Sequence, residues 1–175
     1  MCIALVVGHS SKNKGAKNKA FNVFEYDINK KLAIDIKDIL GSKVEIVYRL
    51  NGYIQLPNDI NKFNPNLILS LHCNAYNTKI SGSEVLYYYK SECSKQIAQV
   101  FQSKIVNVLG LSDRGIKGKS SEDRGGYLLR YTNAPCLILE PCFLDNDSDF
   151  AVFMCKYDEY VKSISSIIEV YNNLI

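Results

Sequence analysis

Three short apolar runs in this chain each lead straight into a residue able to hold a metal or move a proton. Residues 2–7 run into Gly8-His9, residues 66–71 into His72, and Cys136-Leu137-Ile138-Leu139 into Glu140. Runs this short, with no polar alternation, read as strands covered on both faces. Between them lie stretches with the period of a helix. Residues 25–40 carry Ile28, Leu32, Ile36 and Ile39 between charged residues and stop at Gly41; residues 92–109 carry Ile97, Val100, Phe101, Ile105 and Val108 and stop at Gly110. Further strands are predicted at 44–48, 84–89 and 127–130, a short helix or turn at 57–63, and helix from about 147 onward. The glycines at 115, 118, 125 and 126 predict a long exposed loop over 115–126. Strands alternating with helices dictate an α/β layered fold: a mixed, mostly parallel twisted sheet of about six strands with helices on both faces. No repeat or linker marks a boundary, so residues 1–175 read as one domain, and an apolar content of 47% suffices for its core.

Composition closes off several function classes. No stretch approaches the roughly 18 apolar residues of a membrane span. The start, Met1 to Val7, has neither a charged leader nor a cleavage site, so the expectation is a product made in the cytoplasm without a signal peptide. The six cysteines show no C-x-x-C pairing and mostly sit in apolar runs, which predicts reduced, packed thiols rather than a disulfide framework. The net charge of +3 is concentrated in one place, residues 12–19, with four lysines in eight residues. That segment reads as a solvated loop, with contact to an anionic polymer beside His9 as the sharper alternative. Nucleic acid is not an expected partner, because neither aromatic platforms nor an Arg-rich face accompany the lysines.

The only two histidines, His9 and His72, both follow a buried strand, and ligands of open α/β sheets bind beyond the carboxyl ends of strands. A lone histidine there is ordinarily a packing residue. Two of them with glutamates nearby suggest a metal, and catalytic zinc keeps three protein ligands with a further position open. Glu25 could be the third from the start of the first helix, or it could merely complement the helix dipole, an effect of about 0.3–1 kcal/mol; spacing leaves both open. Glu140 is an acid in an apolar setting. Burial raises a carboxyl pKa toward neutrality, which suits a group that takes and returns a proton, and a buried salt bridge is the alternative. No His-Glu-x-x-His motif occurs. A nucleophilic Cys73 or Cys142 is the competing chemistry, but strand alternation turns Cys73 to the face opposite His72.

Val7-Gly8-His9, Glu25 opening a helix, Ser70-Leu71-His72-Cys73-Asn74-Ala75, Gly82-Ser83-Glu84-Val85 and the stretch from Leu137-Ile138-Leu139-Glu140 through Pro141-Cys142-Phe143 to Asp145-Asn146 together resemble the zinc-dependent N-acetylmuramoyl-L-alanine amidases of the amidase-3 family. The similarity runs from residue 3 into the last helix and is closest in character to the catalytic domains of clostridial phage endolysins. It implies one Zn2+ held by His9, Glu25 and His72, a catalytic Glu140, and hydrolysis of the amide between N-acetylmuramic acid and L-alanine in peptidoglycan. Asn74 and Glu84 then orient substrate or hold a turn and a strand. Two positions depart from the family: Ser10 stands where glycine is frequent, and Cys142 where the motif commonly has glycine. Both bear on loop shape and substrate fit rather than on the metal. The resemblance further implies an isolated catalytic module of a bacteriolytic enzyme that reaches the wall after release. A zinc peptidase on the same scaffold and a non-catalytic wall-binding module are the other readings. Peptidoglycan is the expected partner, with no membrane and no signal of oligomeric state.

Overall fold

The first apolar run is a strand in the middle of the molecule. In the computed structural model, which describes residues 2–174, β1 (Ile3–Val7) is buried along its whole length. A two-residue ribbon follows, β2 (Lys17–Asn18) with β3 (Val23–Phe24), then α1 (Glu25–Leu40), β4 (Val44–Val47), α2 (Leu56–Asn61), β5 (Leu67–Leu71) and β6 (Ser83–Tyr88). The chain continues through α3 (Glu92–Leu109), β7 (Asp113–Lys119), α4 (Gly126–Tyr131), β8 (Cys136–Glu140), α5 (Asp147–Cys155) and α6 (Tyr157–Leu174). Six strands form one sheet in the order β4-β1-β5-β8-β6-β7. The first four are mutually parallel. β6 pairs antiparallel to β8, and β7 runs parallel to β6.

Alternate residues of each strand enter different cores. Ile3, Leu5, Val7, Leu67, Leu69, Leu71, Leu137 and Leu139 meet α1, α3 and α6 on one face, while Ala4, Val6, Ile68 and Ile138 meet α2 and α4 on the other. Both faces are therefore covered, which is why these strands carry no polar alternation. No helix among the described residues is long and apolar enough to cross a membrane.

Two assignments from sequence are corrected. Residues 127–130 lie in α4, not in a strand, and the predicted loop over 115–126 is strand as far as Lys119. The sheet keeps six members because β7 takes the expected place of 127–130. β7 pairs only with β6 and is mostly half-exposed, so it can carry Arg114, Lys117 and Lys119, the charged composition that suits an edge. In α4, Leu128 and Leu129 are buried in the smaller core, whereas Arg130 is exposed.

The lysine-rich segment keeps Lys12, Lys17 and Lys19 exposed, as a solvated loop does, while several contacts tie it to the rest of the chain. Lys14 pairs with Asp27 at 3.0 Å, Lys17 stands 5.0 Å over the Phe24 ring, and buried Asn18 donates to Leu144 O and Asp147 Oδ1, each at 2.9 Å. These contacts tie Lys14 to the first turn of α1 and Asn18 to the segment that enters α5. A second anchor is buried Asp149, which accepts hydrogen bonds from the backbone amides of Gly82 and Phe143, both at 3.0 Å, and from Ser81 Oγ. It ties the entry of β6 to the segment leaving β8. Asp149→Ala leaves two enclosed amides without acceptors, and the unfolding free energy should fall by about 2–4 kcal/mol in a denaturant titration; a change under about 1 kcal/mol would show the anchor to be dispensable.

Candidate metal centre

Because β1, β5 and β8 are parallel neighbours, their carboxyl ends share one edge. Gly8 N donates to Leu71 O at 2.9 Å and His72 N to Leu139 O at 3.0 Å, which carries the ladder past the strand ends. The reversed β6 presents its beginning at that edge, with Glu84 paired in register with Glu140. His9, His72, Asn74, Glu84 and Glu140 consequently line a single cleft of about 540 Å³.

Glu25 lies beneath it, 1% exposed. Each of its carboxylate oxygens is held by one backbone amide and faces one imidazole. Oε1 accepts from Cys73 N at 3.2 Å and lies 2.9 Å from His72 Nδ1; Oε2 accepts from Ala16 N at 3.1 Å and lies 2.9 Å from His9 Nε2. Burial pushes the Glu25 pKa upward, but the close approach of the His72 and His9 rings outweighs it and holds the carboxyl well below the usual range. Glu25 thus opens α1, where a carboxylate complements the helix dipole, and also sits between the two histidines.

Close packing enforces this arrangement. A Cβ on Gly15, whose φ is +74°, would come within 2.6 Å of both Glu25 Oε2 and His9 Cδ2, and one on Gly8 would strike Leu71 O. His9 itself adopts a φ of 67°, a left-handed conformation that a non-glycine residue holds only when its surroundings over-determine it.

The donor set fits a divalent ion. One ligand atom from each of His9, Glu25 and His72 lies within 4.8 Å of the others, whereas neighbouring ligands on tetrahedral zinc stand about 3.4 Å apart. Buried His9 Nε2, although near Glu25 Oε2, makes no properly aligned hydrogen bond. An imidazole nitrogen aimed at a carboxylate without an aligned proton between them is the disposition of two ligands converging on a cation. These three residues can therefore hold a metal ion.

Glu140 ends β8 in the same cleft, and its Oε2 is buried without a hydrogen-bond partner. Burial pushes its pKa well above the ordinary glutamate value, the charges of Glu25 and Glu84 add to the rise, and Arg124 and Lys119 oppose it. Among the described residues, no salt bridge engages it. Asn74 Nδ2 donates to Glu84 Oε1 at 2.8 Å, and Arg114 Nε donates to Glu84 Oε2 at 2.8 Å. Glu84 thereby spends both oxygens on protein groups, and Asn74 Oδ1 accepts from Ala75 N at 3.0 Å. Arg114 was not singled out from sequence; it stands 5.0 Å over the Phe143 ring and braces this chain from the edge strand. Cys73 and Cys142 are both buried in the larger core, and contact with Cys142 together with burial raises the Cys73 pKa well above the ordinary thiol range. Neither has the exposed, thiolate-favouring setting of a nucleophile. All six cysteines are unbridged.

Residues 3–169 match the family described as N-acetylmuramoyl-L-alanine amidase. N-acetylmuramoyl-L-alanine amidase LytC of Bacillus subtilis (strain 168) is 26% identical over 149 residues, which is 81% of this chain and 29% of LytC. The chain thus spans less than a third of that relative. Among solved structures, the N-acetylmuramoyl-L-alanine amidase from Clostridium difficile 630 superposes with a TM-score of 0.83 at 24% identity, covering 98% of this chain and 96% of that one. The catalytic domain of the CD27L endolysin, which targets C. difficile, gives a TM-score of 0.76 at 26% identity over 96% of this chain and 94% of that domain. With the match running through all six strands and into the last helix, the chain belongs to the N-acetylmuramoyl-L-alanine amidase family, amidase-3.

Proposed function

We propose that this chain hydrolyses the amide between N-acetylmuramic acid and L-alanine in bacterial peptidoglycan, using one zinc ion held by His9, Glu25 and His72. The observation that carries the reading is the convergence of those three ligand atoms beneath a cleft that also holds an unpartnered, buried Glu140. Two imidazoles and one carboxylate suit zinc better than the oxygen-loving magnesium or calcium. A bound ion supplies Lewis acidity at the scissile carbonyl and makes nearby water easier to deprotonate. Glu140 takes a proton from the attacking water as its oxygen bonds to the carbonyl carbon. It then returns that proton to the alanine nitrogen as the carbon–nitrogen bond breaks. A carboxyl whose pKa burial raises above the ordinary glutamate value is better suited to both transfers than an exposed one. Asn74, fixed by Glu84, which Arg114 holds in turn, offers a preset polar edge for orienting the substrate. We place the action at the cell wall, as the catalytic module of a phage-type lysin; the likeness to the CD27L catalytic domain supports this.

Metal analysis combined with mass spectrometry of digested peptidoglycan tests site and bond together. One zinc per chain is expected, with stem peptides released bearing a free alanine N-terminus and muramic acid keeping its lactyl group. Cleavage within the stem peptide would point to a zinc peptidase, and adsorption without release to a wall-binding module.

A further inference from the structure

The cleft carries cationic side chains that the hydrolytic step does not require. Arg49, Lys119 and Arg124 all line it, together with Tyr53 and Tyr127. Among the described residues, none of these three cations forms an ion pair, whereas the lysines and the arginine that do are paired elsewhere. Of the acids in the same lining, Glu84 is paired with Arg114 and bonded by Asn74; Asp123 accepts from Ser120 N at 2.7 Å and Ser120 Oγ at 2.9 Å and Glu122 from Ser121 Oγ, bonds to neutral groups that direct these carboxylates without cancelling their charge. The Arg49 guanidinium lies 5.9 Å from the Tyr53 ring, whose centroid is 6.0 Å from that of Tyr127. A cation–π contact at this range biases the position of the guanidinium while leaving its N–H groups free for an anion.

Substrate chemistry then sets a direction. The N-acetylated glycan is neutral at this position, while the stem peptide is anionic, so the cations without ion pairs in the cleft suit the peptide rather than the glycan. An extended chain advances about 3.5 Å per residue, placing the acid of the residue after alanine roughly 7 Å beyond the scissile nitrogen. Lys119 and Arg124 line the same cleft as Glu140, so a peptide leaving the scissile bond passes within the reach of long cationic side chains. We propose that Arg49, Lys119 and Arg124 form a carboxylate-reading subsite that takes the acidic second residue of the stem peptide and discriminates its free α-carboxylate from the amidated form. The proposal rests on the amidase reading above. It also orients the substrate, with the peptide running toward α4 and the glycan toward the opposite end of the cleft.

The test is a competition. Two batches of the same purified peptidoglycan, differing only in whether the α-carboxyl of the second stem residue is free or amidated, are mixed and digested with zinc-loaded protein, and released peptides are counted by mass spectrometry. The wild type should release the free-carboxylate peptide about tenfold faster, the discrimination that loss of one charged hydrogen-bonding partner produces. In Arg49→Gln and Arg124→Gln the ratio should fall toward one, whatever happens to the absolute rate. A wild-type ratio near one overturns the subsite, as does a tenfold ratio that survives both substitutions. Release of neither peptide by the wild type is a different failure, since it removes the amidase reading and this inference with it.

Discussion

Glu140→Gln should keep its zinc and lose about 10²- to 10⁴-fold in kcat, the range associated with a positioned proton-transfer group. The substitution preserves the shape of a side chain whose Oε2 makes no hydrogen bond, so a folding defect is not an alternative cause of lost activity. Metal content by mass spectrometry and peptide release from purified walls are the paired readouts; near-normal release would remove Glu140 from the chemistry. The pKa gives an independent handle. Burial, with Glu25 and Glu84 behind it, raises the folded-state value, so the acid limb of the wild-type rate profile should lie above the ordinary glutamate range of about 4.3. Stability follows with a definite sign. A raised carboxyl pKa means that the folded protein retains a proton the unfolded chain releases, so this contribution is full below about pH 4.3 and is lost as pH climbs through the folded value. At neutral pH the metal-free Glu140→Gln protein should therefore melt at a higher temperature than metal-free wild type, a gain in stability at the expense of function.

His72→Ala should bind zinc more weakly by well over 100-fold, since even loss of a hydrogen-bonding partner outside the ligand set costs 10- to 100-fold, and wall lysis should disappear with the metal. Equilibrium dialysis reads this directly, and one equivalent of zinc retained at micromolar concentration would exclude His72 as a ligand. The fold should survive, because His72 is partly exposed in the cleft and its backbone amide remains bonded to Leu139 O. An unchanged far-ultraviolet spectrum beside the lost metal separates ligand loss from collapse.

The features legible in the sequence were those set by burial. β1, β5 and β8 are buried on both faces, so their composition announces them and fixes which edge carries His9, His72 and Glu140. The exchange between β7 and α4 was not legible for the opposite reason. Asp113–Lys119 is an edge strand with a half-exposed, charged surface, and hydrophobic patterning says little where nothing must be hidden. Gly126–Tyr131 is only six residues long, too short for a helical period to separate from the aromatic, β-favouring look of Tyr127 and Tyr131. In the site, the role of Glu25 could not be fixed by spacing because its partners, Ala16 and Cys73, reach it from separate loops. Arg114 and Arg49 went unnoticed for a related reason: a surface arginine carries no local sign that its partner lies 30 residues away or that a cleft wall needs it.

The four contacts around the Glu25 carboxylate have a consequence for how the protein handles its ion. Since backbone amides already fix both oxygens, an arriving cation finds the carboxylate in place and has only to displace protons or contacts at the two rings. Departure of the ion returns the imidazoles to the same anion rather than exposing an unbalanced buried charge. Stripping by a chelator should thus be a reversible exchange within a standing scaffold, unlike the unravelling of a zinc finger deprived of its metal, and the protein can wait in a depleted environment and recharge on demand.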